Sequence, residues 1–98
     1  MLDELKTYLD ITWTDDVTDK KIEGILTRAI STLQSYAGYE INFKTEQNDK
    51  QLLFDCCRYI YNNALEDFKT NFHAELVMLR AKYQVKNMPT EEEAIINA

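Results

Sequence analysis

Between residues 22 and 37 the apolar side chains Ile22, Ile25, Leu26, Ala29, Ile30, Leu33, Tyr36 and Ala37 recur at helical spacing. The period is about 3.6 residues, sustained over about five turns, and no strand can bury such a set on one face. Lys20, Glu23, Thr27, Arg28, Ser31, Thr32, Gln34 and Ser35 fall on or beside the opposite face. Gly38 follows where a left-handed residue would close the helix. Asp15, Asp16 and Thr18 are the candidate N-caps at its start. Gly24 lies inside it, at a cost of about 1 kcal/mol relative to Ala. The missing side chain there suggests close approach by another backbone.

The rest of the chain extends this pattern. With 2 glycines and 1 proline it lacks the turn formers that a β-sandwich or barrel needs. The 98 residues support one domain with a thin core, burying roughly 60–65% of the unfolded surface. Leu2, Leu5, Tyr8 and Leu9 predict a short helix over about residues 2–10, and ITWTDDV at 11–17 breaks it. Residues 39–48 form a connection in which Ile41 and Phe43 alternate with polar residues. A third helix is expected over about 49–67. Its stripe is Leu53, Cys56, Cys57, Ile60, Tyr61, Ala64 and Phe68, flanked by Phe54 and Leu65. Leu52 and Tyr59 lie roughly 100° off that stripe and read as surplus apolar surface. LysThrAsn at 69–71 predicts a break. A fourth helix then runs to about residue 86 on Phe72, Leu76, Leu79 and Tyr83, with Val77 and Met78 partly alongside. The expectation is an all-α bundle of about four helices over 1–86, followed at 87–98 by a mobile acidic C-terminal tail.

Catalytic chemistry finds little purchase. His73 is the only histidine, with no second ligand at helical spacing. Ser31 and Ser35 sit on a polar helix face, not in a glycine-rich turn, and no phosphate-cradling loop is present. Asp15 with Asp16, and Glu66 with Asp67, read as helix-end charges. Cys56 and Cys57 are adjacent and point about 100° apart on a helix, so both are expected reduced and buried. No enzyme activity, cofactor or metal is expected. No apolar run approaches the roughly 20 residues of a membrane span. MLDELKTYLD is acidic and amphipathic rather than signal-like, which makes cytoplasm the expected compartment. A net charge of −6 without a basic stripe argues against a tight grip on nucleic acid. Trp13, in the loop after the first helix, reads as a core plug first and a contact residue second.

The order of features resembles a known family. LDELKTYLDI, an acidic loop, a long Ile/Leu/Ala-rich helix ending in TLQSYAGYE, and then RYIYNNALEDFKTNFHAELVMLRAKY look like small phage head–tail connector proteins, also called head-completion or adaptor proteins. The resemblance covers about residues 2–86. It implies a structural subunit in the virion, at the head–tail interface, assembled in the host cytoplasm. Such subunits form a ring on the portal protein, extend the DNA channel and dock the next tail-side connector or stopper. An acidic lining would let passing DNA slide without specific binding.

A ring repeats one heterologous contact, so each subunit needs two different adhesive patches. Trp13 and its loop, Leu52 with Tyr59, and the acidic run Glu91, Glu92 and Glu93 are the candidate subunit or partner contacts. The alternative is a small acidic regulatory or inhibitory module acting on a host protein. A DNA mimic would carry its acids in rows, but here they are scattered among lysines. A helix-turn-helix binder would need more basic residues than Lys20, Lys21 and Arg28.

Overall fold

The computed structural model describes residues 1–87. The expected acidic tail, with Glu91, Glu92 and Glu93, lies outside the described residues. Those residues form five helices and no strand: α1 (Leu2–Tyr8), α2 (Asp16–Ala37), α3 (Gln47–Tyr61), α4 (Leu65–Asn71) and α5 (His73–Asn87).

The long helix begins and ends where its sequence says. Asp15 is the N-cap of α2, and its carboxylate accepts from the Thr18 amide at 2.8 Å. Gly38 closes α2 in the left-handed region at φ 63°. Ile22, Ile25, Ala29, Leu33 and Ala37 form its buried stripe. Gly24, by contrast, faces open space, with nothing within 4 Å of where a Cβ would sit. The expected close backbone approach is absent at this residue.

Helix α1 ends near the expected residue 10, but the left-handed caps that close α1 and α3 were not foreseen. Helix α1 closes through Asp10, held at φ 59°. The Ile11 amide reaches back to the Lys6 carbonyl at 2.9 Å, and the Asp10 amide to Thr7 at 3.1 Å. This is the Schellman pattern, and it turns Ile11 into the core at 6% exposure. The same device ends α3. Asn63 stands at φ 55°, with Ala64 N–H donating to Tyr59 O at 2.8 Å and Asn63 N–H to Ile60 O at 3.0 Å. The helix expected over 49–67 is therefore cut at Asn62–Asn63. The expected break at 69–71 is instead the end of α4. Phe72 alone separates α4 from α5, so the expected all-α bundle of about four helices has five.

Helix α2 is central, packing against α1, α3 and α5, while α3 also packs against α4 and is tied to α1 through side chains. Tyr8 of α1 lies 5.7 Å from the Phe54 ring and donates its hydroxyl to Asp55. Lys50 reaches Glu4, and Lys6, nearly buried, reaches Asp19 of α2 at 2.7 Å. These contacts from several directions explain why Leu52, Leu53, Phe54, Cys56, Cys57 and Ile60 are all buried. Cys56 and Cys57 are free thiols. Burial pushes both up to about 12, which suppresses the reactive thiolate. In the connection, Ile41 and Phe43 pack down into the core.

The left-handed caps give a stability test. Asn63→Ala should cost about 1–2 kcal/mol, because Cβ crowds the following carbonyl in that conformation, while Asn63→Gly should cost little. Gly24→Ala should gain about 1 kcal/mol, since helix propensity improves and nothing clashes. Urea unfolding of the three variants checks the order.

Candidate interaction surfaces

A buried carboxylate sets the position of α5. Asp49, on the first turn of α3, is 5% exposed. It accepts the hydroxyl of Tyr83 and, at 3.1 Å, the ammonium of Lys82, both from α5. Lys82 also reaches Glu46 at 3.2 Å, and Lys86 reaches Glu46 at 3.5 Å. Tyr39 stacks on Tyr83 with ring centroids 5.0 Å apart. Burial, and then the hydrogen bond to Asp49, push the Tyr83 phenol well above its usual range. Burial acts to lower Lys82, but its bonds to Asp49 and Glu46 outweigh this and raise it. The Lys82 hydrogen bond holds Glu46 below the usual carboxylate range.

This anchoring turns one face of α5 inward and leaves the opposite face in solvent. Leu76, Leu79 and Tyr83 are buried. Val77, Ala81 and Val85 follow one another at i+4 spacing on the outer side, with Met78 beside them. Val77 is 53% exposed, Met78 70% and Val85 68%. Val77 and Met78 were expected partly alongside the core face. The helix is instead apolar on two faces, and the fold uses one. The i+4 recurrence from Val77 to Val85 was the available signal for this. Arg80 and Gln84 border the outer stripe and share a groove with Ser35, Tyr36 and Gly38 at the end of α2. Arg80 has no ion-pair or hydrogen-bond partner among the described residues.

The second exposed apolar patch is the Trp13 loop. Trp13 is 52% exposed and Val17 81%, so Trp13 is not the core plug expected of it. The indole is nevertheless held. Its Nε1 donates to Thr18 Oγ1 at 3.0 Å, and that hydroxyl donates to Asp15 at 2.9 Å. Hydrogen bonds to Thr18 also lower Asp15, fixing it as an acceptor.

The other sequence candidates have partners within the chain. Leu52 is 8% exposed and belongs to the core rather than to surplus surface. Tyr59 is half-buried. Phe68 and Phe72 meet its ring edge-on, each at 5.7 Å, Arg58 lies over it, and Asn71 donates to its hydroxyl at 3.2 Å. Both sit off the main stripe because α3 is covered from several sides. Among the described residues no cluster of three His, Cys, Asp or Glu could hold a metal, and no helix is long and apolar enough to cross a membrane. His73 is exposed at the start of α5.

No family model, curated protein or solved structure matches this chain.

The ionic contacts predict a stability plateau with two limbs. Glu4, Asp15 and Glu46 are lowered from ordinary values of 4.5, 3.8 and 4.5. Their contribution is present above those values and is lost as pH falls through the lower folded ones. Tyr83 and Lys82 are raised from 10.0 and 10.5. Their contribution is full below those values and is lost as pH rises through the folded ones. Tyr83→Phe should flatten the alkaline limb. It should also cost about 1–3 kcal/mol at neutral pH, because Asp49 keeps its burial and loses a donor. Urea midpoints from about pH 3 to pH 11 would show both effects.

Proposed function

We propose that this protein is a structural subunit of a tailed-phage head–tail connector. In this reading it forms a ring on the portal, extends the DNA channel and docks the next tail-side component. The observation that carries the reading is the pair of unlike exposed apolar patches outside the core. One is the Trp13 loop and the other the outer face of α5. Val77, Met78 and Val85 form a contiguous apolar face on α5 that nothing among the described residues covers, the kind of surface that marks an interaction site. A ring subunit needs two patches that differ. The resemblance of residues 2–86 to connector subunits, and the net charge of −6, support the same reading. Fewer acids are free than the sequence count suggests. Glu4, Asp19, Glu46 and Asp49 are each engaged by a lysine, which weighs against a continuous DNA-like row of negative charge.

The test is recovery of the tagged protein from cells assembling its phage, with electron microscopy of the eluate. The expected outcome is portal with an added ring on its narrow end. Recovery of a host enzyme or repressor without portal would overturn the reading in favour of a regulatory module. Trp13→Ala should weaken ring formation by about thirty-fold, the effect of losing a contact worth roughly 2 kcal/mol, with the helical content of the monomer unchanged.

A further inference from the structure

We propose that the two patches are the two halves of one contact: the Trp13 loop of each copy seats on the outer face of α5 of the next copy. The inference names the contact that the proposed ring would repeat and rests on that reading for its closure. The geometry of the contact stands on the residues below.

The patches are complementary in shape and charge. The stripe of Val77, Ala81 and Val85 has a small residue at its centre, between two exposed valines. This leaves a shallow seat for a large flat side chain. Trp13 is such a side chain, and its exposed surface is already oriented by the bond to Thr18. A fixed aromatic that enters a seat loses little rotamer freedom on binding. The Trp13 loop is acidic: Asp10, Asp15 and Asp16 are exposed and residues 9–17 carry no lysine or arginine, while Lys6, near enough to help lower Asp15, is committed to Asp19. Beside the stripe stands Arg80, exposed and without a partner among the described residues. In the proposed contact an acidic rim about an aromatic anchor meets a guanidinium that has no partner among the described residues, beside an apolar seat.

The two halves cannot meet within one chain. Trp13 is tied to Thr18 near the start of α2, whereas Arg80 shares a groove with Tyr36 near its end. The helix between Thr18 and Tyr36 spans about 27 Å at about 1.5 Å per residue. The contact must therefore join different copies. Because the patches are unlike, it is head-to-tail, and it propagates until the rotation closes. A twofold pairing of α5 with α5 is disfavoured, since it would place Arg80 near Arg80 and leave Trp13 in water.

Cross-linking of the isolated protein decides the point. Thr14→Cys places an exposed thiol beside Trp13, and Ala81→Cys places one in the seat. Cys56 and Cys57 are fully buried and stay silent toward a short bismaleimide. At millimolar protein, each single variant alone should give no covalent dimer. Their mixture should give a dimer holding one chain of each. The double variant should give a ladder of dimers, trimers and higher species. Arg80→Glu in the double variant should reduce the ladder several-fold, and adding Asp16→Lys should restore it. Failure of the folded mixture to cross-link, or dimers from Ala81→Cys alone, would overturn the proposal. The outcome is separable from the connector reading. A ladder without portal recovery would keep the contact and remove the phage role. A portal-bound ring without the 14–81 link would do the reverse.

Discussion

The hydrogen bond from Tyr83 to Asp49 is the interaction on which the arrangement of the surface depends. A carboxylate at 5% exposure is costly without partners. Its partners here come from a single helix, with Tyr83 and Lys82 adjacent on α5. Together they tie α5, which packs mainly on α2, to the first turn of α3 and so constrain its rotation about its axis. Tyr83 is also among the largest fully buried side chains in the protein. Its ring supplies apolar burial while its hydroxyl satisfies the acid. Once the side carrying Tyr83 faces the core, Val77, Ala81 and Val85 must face outward. The exposed stripe is thus a consequence of how the interior is wired.

Much of this was legible in the sequence, and the failures have physical causes. Helix α2 combined period, cap and closing glycine, so pattern and chemistry agreed. The end of α1 was read near residue 10, but its left-handed cap at Asp10 and the break at Asn63 use residues that take that conformation less readily than glycine and so leave a weaker signature. Asn62–Asn63 lay within an apolar stripe that continued past them, and periodicity alone bridged the gap. Leu52 and Tyr59 seemed surplus because a stripe on a wheel shows one helix, not the number of neighbours around it. Asp49 carried no distinguishing mark, since a buried acid is recognised only by the donors that tertiary structure brings to it.

The apolar surface on α5 was concealed by the same limit. Leu76, Val77, Met78 and Leu79 are consecutive, and Val77 and Met78 read as lying partly alongside the core face of Leu76 and Leu79. The structure divides them, with Leu76 and Leu79 inside and Val77 and Met78 outside. Trp13 shows the converse. Large aromatics are usually drawn inward, yet this one is retained at the surface by a hydrogen bond to a residue whose own hydroxyl is committed to the helix cap.

The shortness of α1 has a consequence for the order in which the molecule opens. Seven residues are too few to sustain a helix in isolation, since nucleation requires more backbone fixing than so few bonds repay. The helicity of α1 is borrowed from Leu5 in the core and from the ties to Asp19, Lys50 and Asp55 on α2 and α3. Such a segment forms a sub-global unit, whose amides exchange with solvent through an opening smaller than complete unfolding. The amides of α2 and α3 exchange only when the main bundle opens. Trp13 stands at the seam between the two units, following the arm in sequence but hydrogen-bonded to α2. Release of α1 therefore leaves the indole in place while freeing the residues before it. While α1 is docked, the first helix and the aromatic beside it communicate through the Lys6–Asp19 pair, one residue from Thr18.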